Sequence, residues 1–268
     1  MADAEEALAP GSGLVTGRRA VARAALNDAA LDARSALLRE GPRLDSAAAA
    51  MPRRSVLIVA IERTDVPNLL RPALDEIART RHEVTVAVAP AGDRGKFENL
   101  DALLGRQDIA KHDWLLVFDD DVELPRRFLD RFLFCCERFG LKLAQPAHCH
   151  RSHAAWPVTR RRADVVRMTR FVEIGPVTAF RNDTFATVLP FPPLRMGWGL
   201  DAHWAAVARE HGWPVGVVDA TPIRHGLRRT GSGYVHADAV AEARTFLADR
   251  PHITRDEAAQ TVAAFRRW

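Results

Sequence analysis

Three carboxylates stand side by side at Asp119, Asp120 and Asp121, directly after the apolar run Trp114 to Phe118 and just before Val122-Glu123-Leu124-Pro125. Adjacent like charges repel and raise one another's proton affinity unless a cation relieves them, so such a cluster at a strand end suits a divalent metal. A solvated acidic turn would account for three aspartates in a polar loop, but less readily for three that follow Leu115-Leu116-Val117-Phe118. A second group, His148, His150 and His153, brings three imidazoles together near Cys149. A structural zinc site would need a further ligand cluster at fixed spacing, and none occurs. This stretch is expected to be a mobile loop near the active site.

Asp201 follows Gly197-Trp198-Gly199 at the start of a predicted helix. An acid there is favoured by the helix dipole on structural grounds alone, and a carboxylate so placed also suits a general base. The glycines let backbone approach a ligand, and Trp198 offers an apolar face for stacking a ring. The chain contains neither GxGxxG nor GxxxxGK[ST], which removes the main support for dinucleotide and P-loop readings.

These residues need a scaffold, and from Ser55 the pattern is short β-rich runs alternating with amphipathic segments, as in an α/β domain with a largely parallel sheet. Strands are expected at 55–61, 83–89, 114–118 and 215–219, with one or two more over 171–180 interrupted at Gly175-Pro176. The consecutive apolar side chains of 114–118 predict a central strand covered on both faces. Helices are expected at 68–80, 97–104 ending at Gly105, 126–138, and 201–211 ending at Gly212. Thr254 and Glu257 form a capping box that predicts a last helix over 256–266. Residues 1–54 read as a separate Ala-rich extension, frayed at first, broken at Pro10-Gly11-Ser12-Gly13, then helical over 18–40. Its thin apolar face, Leu26, Leu31, Leu37 and Leu38, would pack on the main domain (55–268) or on a second subunit, giving a homo-oligomer.

The 268 residues carry 38 Lys plus Arg against 34 Asp plus Glu, a net charge of +4, with 47% hydrophobic and 27% charged residues. That composition excludes a disordered chain. The longest apolar runs, such as Val56 to Ile61, fall far short of the roughly 20 residues that span a bilayer. Asp3, Glu5 and Glu6 lie where a secretory signal would carry positive charge. The three cysteines form no CxxC pair, so a reduced, cytoplasmic protein is expected. Arg160-Arg161-Arg162 without an aromatic stacking pattern reads as solvated surface, not as a nucleic-acid site.

The segment Trp114-Leu-Leu-Val-Phe-Asp-Asp-Asp-Val-Glu-Leu-Pro125 resembles the DXD segment of glycosyltransferases with the GT-A fold. Phe171-Val-Glu-Ile174, Gly197-Trp-Gly-Leu-Asp201, and Gly216-Val-Val-Asp219 followed by Ile223-Arg-His225 occur in the same order in a poorly characterised family of glycosyltransferase-like proteins of plants and bacteria. The similarity covers roughly residues 55–235. The Gly-Trp-Gly-x-acid and Ile-Arg-His elements also resemble those of galactosyltransferases.

The resemblance implies a Rossmann-like, mostly parallel sheet flanked by helices, and a hexosyltransferase-like enzyme using a nucleotide-diphosphate sugar, UDP-linked by expectation. Carried over by position, Asp121 ligates the metal, Asp119 contacts ribose or a metal-bound water, and His225 is the ligand on the far side. Imidazole beside carboxylate favours Mn²⁺ over Mg²⁺. Asp201 is the expected base for an inverting transfer, and Glu173 either holds an acceptor hydroxyl or is the second candidate base. Trp198 and Gly199 would line the sugar site. Arg63, Arg94, Lys96 and Arg228 are candidates for ribose or diphosphate, Asp93 for the base edge, and Asp120 is the variable member of its triplet. Arg229 and Gly231-Ser232-Gly233 would form a mobile segment over the donor. A small acceptor, such as a secondary metabolite or cell-envelope precursor, is expected. The alternatives are a metal-dependent nucleotidyltransferase or nucleotide-sugar hydrolase, and a silent carbohydrate-binding protein on the same fold.

Overall fold

The computed structural model describes residues 15–228 and 235–268. The acidic N-terminal residues, the break at 10–13, and Arg229 with Gly231-Ser232-Gly233 lie outside them. Strands β1 (Ser55–Glu62), β2 (Glu83–Pro90) and β3 (Trp114–Phe118) pair in parallel with β1 in the middle. They continue into β7 (Val177–Arg181), β5 (Leu143–His148), β8 (Val215–His225), β6 (Val166–Thr169) and β9 (Thr261–Phe265), in the spatial order 2-1-3-7-5-8-6-9. β7 and β6 run against the other strands of this path. The two-residue β4 (Val122–Glu123) pairs with the end of β8.

Alternation along the central strands sends side chains to two cores. Leu57, Val59, Leu115 and Val117 face one, with Phe97, Leu100, Leu200, Trp204, Phe246 and Leu247. These come from helices α4 (Lys96–Leu104), α7 (Leu200–Glu210) and α8 (His236–Leu247). Val56, Ile58, Trp114, Leu116 and Phe118 face the other, with Leu44, Leu70, Ile77, Phe128 and Phe132 of α2 (Glu40–Ala50), α3 (Leu70–Ile77) and α5 (Phe128–Arg138). All five side chains of β3 are buried, as a strand covered on both faces requires. The expected α/β class, a central sheet flanked by helices, is therefore present.

Several local expectations are corrected. The N-terminal helix α1 is Arg18–Leu37, and α2 follows after Arg39 turns left-handed at φ 51°. Against the rest of this chain α1 buries Ala24 and Asp28 and half-buries Leu31, whereas Leu26 and Leu37 are 70% and 84% exposed. The capping box of Thr254 and Glu257 forms, but it opens only the one-turn helix α9 (Arg255–Ala258). The expected helix over 256–266 is instead largely β9, because Val166 to Thr169 offers a free strand edge with which Thr261 to Phe265 pairs. No strand forms over 171–176, and the Gly175–Pro176 peptide is cis. β5, β6 and α8 are additional to the expected elements.

Candidate functional site

The carboxyl end of β3 delivers Asp119, Asp120 and Asp121 to the rim of the sheet, and β4 then turns back to pair Val122 with His225. This pairing brings the aspartate cluster and the last residue of β8 together. His225 Nε2 lies 3.1 Å from Asp121 Oδ1, and Asp119, Asp121 and His225 offer ligand atoms all within 4.8 Å of one another. His225 Nδ1 lies 3.2 Å from the His153 carbonyl. A carbonyl only accepts, so Nδ1 carries a proton, and the Nε2 edge of the ring is turned to the Asp121 carboxylate. With Nδ1 protonated, loss of the Nε2 proton leaves a lone pair aimed at Asp121, so the imidazole and the two carboxylates form a donor set that fits a divalent metal, and a backbone carbonyl on the other ring nitrogen is common for such histidines. Burial lowers the pKa of His225, but the hydrogen bond and charge of Asp121 more than offset it and the net shift is upward. Burial raises that of Asp121, and His225, Arg228 and Arg63 together bring it below the usual value.

The other cations lie around the same three carboxylates. Lys96 Nζ is 2.6 Å from Asp119 Oδ1. Arg228 reaches Asp121 Oδ2 through Nε at 3.2 Å and also contacts Asp120. The Arg63 amide donates to Asp120 Oδ2 at 2.8 Å, which fixes the middle carboxylate against the end of β1. The Lys96–Asp119 pair lies against Gly175: a Cβ there would come 2.8 Å from Asp119 Oδ2 and 3.1 Å from Lys96 Nζ and would have to displace the pair.

A second pair of carboxylates lies across the Glu173-Ile174-Gly175 segment. The Lys96 ammonium donates to the Ile174 carbonyl at 3.3 Å, and the Ile174 backbone lies close enough to the Asp201 carboxylate to have a lowering effect on its pKa. The Ile174 backbone thus stands near both the carboxylate cluster and the candidate base. Burial pushes the Asp201 pKa up, the Ala202 amide opposes this, and the charge of Glu173 adds to it, so the carboxyl is raised to about 7.

Glu173 is held rigidly. Its amide donates to Gln145 Oε1 at 2.6 Å and its carbonyl accepts from Thr178 Oγ1 at 2.8 Å. Its Oε1 accepts from the Trp156 amide and from Thr159 Oγ1 at 2.7 Å. Its Oε2 faces His148 Nε2 at 3.5 Å. His148 is fully buried at the end of β5, and its ring centre is 6.3 Å from that of His225. The 148–153 stretch does lie beside the site, as expected, but His148 belongs to a strand and the loop after it is tied to β8. Cys149 N donates to Ile223 O, and His153 N to His225 O at 2.7 Å.

The Gly197-Trp198-Gly199 turn is set by Glu242 of α8, whose carboxylate accepts from the amides of Arg195, Met196 and Gly197. Gly197 has φ 82° and lies against Phe97, so that a side chain would be excluded twice over. Trp198 stands edge-on to His236 at 4.9 Å, and Gly199 precedes α7 with Asp201 in its first turn. The same turn holds the Lys96 segment, because the Lys96 amide donates to Arg195 O. Asp93 and Arg94 are exposed in the loop between β2 and α4, and no described contact joins them to the cluster. Asp219 sits apart, in a buried pair with Arg167 at 2.7 Å. Burial raises its pKa to about 6 against the lowering effect of Arg167.

Gln145, Thr159 and Glu242 have no motif in the sequence. They are recruited by chain segments distant from those they support. Among the described residues no helix is long and apolar enough to cross a membrane.

No family model and no curated protein matches the chain. Among solved structures, the catalytic domain of Drosophila β1,4-galactosyltransferase 7 in complex with xylobiose superposes with a TM-score of 0.47 at 12% identity, over 75% of this chain and 83% of that one. S. aureus TarS 1–349 in complex with UDP-GlcNAc gives 0.46 at 11% identity, over 72% of this chain and 65% of that one. GalNAc-T7 with UDP, GalNAc and Mn²⁺ gives 0.42 at 11% identity, over 65% of this chain and 43% of that one.

Proposed function

We propose that the chain is a metal-dependent glycosyltransferase, with the GT-A fold and the plant and bacterial relatives that its motifs resemble. It transfers a hexose from a nucleotide-diphosphate sugar, UDP-linked, to a hydroxyl of a small-molecule acceptor, with inversion. The observation that carries this reading is the cluster at the carboxyl end of β3, where Asp119, Asp121 and His225 offer ligand atoms all within 4.8 Å of one another.

A divalent ion held by Asp119, Asp121 and His225 would supply Lewis-acid stabilisation of a leaving diphosphate. The imidazole in the donor set favours manganese over magnesium. Lys96 and Arg228, already at the carboxylates, are placed to bind phosphate oxygens, with Arg63 and Asp120 beside the ribose and Asp93 at the base edge. Trp198 and Gly199 line the sugar. Asp201 takes the proton of the acceptor hydroxyl as its oxygen bonds to the anomeric carbon and the bond from that carbon to the diphosphate oxygen breaks. A base of pKa near 7 balances availability against proton-accepting strength at neutral pH. Glu173, pinned by four hydrogen bonds, holds the acceptor hydroxyl rather than moving. The cytoplasm and an acceptor from secondary metabolism or envelope synthesis complete the reading.

The test is to incubate the protein with UDP-, GDP- and dTDP-sugars, Mn²⁺ and a panel of hydroxylated acceptors, following nucleotide release and product mass. Release of UDP with a hexose-bearing product, lost in Asp201→Asn, supports the reading. Release of nucleotide without any acceptor adduct identifies a hydrolase instead.

A further inference from the structure

Helix α1 is attached to the rest of the protein by acid groups rather than by its leucines. Asp28, only 2% exposed, receives three hydrogen bonds at one short segment. His150 N donates to its Oδ1 at 2.7 Å, and Arg151 donates to its Oδ2 through N at 3.1 Å and Nε at 3.2 Å. One turn later, Asp32 pairs with Arg161 at 2.5 Å.

The far side of the same segment touches the metal cluster. Ser152 Oγ accepts from the His225 amide at 3.0 Å and donates to Ile223 O. The His153 carbonyl fixes the Nδ1 proton of His225. From the carboxylate of Asp28 to the imidazole of His225 there are therefore two anchored backbone residues and one carbonyl. Arg160 closes the loop by donating to His150 O and Ser152 O, and Thr159 next to it holds Glu173.

We infer that Asp28 is a positioning residue of the active site, and that α1 works as a buttress that sets the orientation of the His225 ring through residues 150–153. This rests on the metal-site reading of His225. The burial pattern of α1 supports it: apolar packing of this helix is slight, yet one of its two buried side chains is a carboxylate whose hydrogen bonds all go to 150–151. An acid is seldom buried in this way without such partners. Outer-shell groups that orient a ligating histidine are worth about 10- to 100-fold in metal affinity, and a group acting one step farther out belongs at the lower end.

The experiment measures Mn²⁺ affinity by calorimetry and, on metal-free protein at alkaline pH, the His225 tautomer by ¹⁵N NMR. It compares the native chain with Asp28→Ala, Asp28→Asn and Arg34→Ala. The last removes the Arg34–Glu40 pair without touching the loop. Asp28→Ala should weaken Mn²⁺ about tenfold and depopulate the Nδ1-protonated tautomer, Asp28→Asn should do so less, and Arg34→Ala should leave both unchanged at whatever melting temperature it has. If Asp28→Ala does not fold, Asp28→Asn carries the comparison. An unchanged tautomer in the Asp28 variants overturns the inference. Native protein that binds no Mn²⁺ overturns the proposed function, while the tautomer still decides the role of Asp28.

Discussion

His225 Nε2 lies 3.1 Å from Asp121 Oδ1, although 104 positions separate the two residues in the chain (225 − 121). Their approach is fixed by the pairing of Val122 with His225. The strand pairing, not the side chains, sets the geometry, so loss of either side chain should leave the fold in place and remove only the ligand. Asp121→Ala and His225→Ala are expected to weaken Mn²⁺ by more than about 100-fold, beyond what outer-shell changes cost, with near-native circular dichroism. Titration of Mn²⁺ by electron paramagnetic resonance measures this.

Asp201 gives two linked expectations. A base with a pKa of about 7 must be ionised to work, so the acceptor-dependent rate should rise with pH through about 7. Asp201→Asn should lower it by roughly 100- to 10,000-fold. A pH profile of initial rates checks both.

The same raised pKa has a cost in stability. Between the unfolded value near 4 and the folded value near 7, the native state holds a proton that the unfolded chain has released. The ionised side chain is therefore a net burden at higher pH, and its effect on stability grows as pH rises through that window. Asp201→Asn should raise the melting temperature at pH 8, by an equivalent of roughly 2–4 kcal/mol, and change it little at pH 4. Thermal unfolding at the two pH values shows whether the activity of this site is bought with stability.

Arg167 and Asp219 are wholly buried together, with two hydrogen bonds between them at 2.7 and 3.0 Å. Removing the cation strands a carboxylate in the core. Arg167→Met should destabilise by about 3–5 kcal/mol, whereas the double variant Arg167→Met with Asp219→Leu should recover most of that. Urea unfolding of the three proteins measures the difference.

The legible parts of the sequence were those in which one local pattern had one consequence. The apolar run Trp114–Phe118 could only be a doubly covered strand, and a carboxylate triplet at its end marked the rim of the sheet. Glu173 and Asp201 were visible as acids in ordered motifs, but the Gln145, Thr159 and Trp156 groups that hold Glu173 were not. They come from two segments, the strand that carries Gln145 and the turn 156–159, that meet Glu173 only in the fold. Pro146 interrupts the apolar pattern of β5, which hid the strand that carries Gln145 and His148. The Ala-rich stretch 256–266 has good helix propensity and a true capping box, and the free edge of β6 overrode both beyond the first turn. Nothing local in the sequence shows that Asp28 meets residues 150–151.

The central claim is a metal-dependent nucleotide-sugar site at Asp119, Asp121 and His225. Calorimetric titration of UDP into the native protein and into Asp121→Ala, with and without Mn²⁺, tests it most directly. The account predicts binding by the native protein only when Mn²⁺ is present, and its loss in Asp121→Ala. UDP affinity equal with and without metal, or retained in Asp121→Ala, would contradict it.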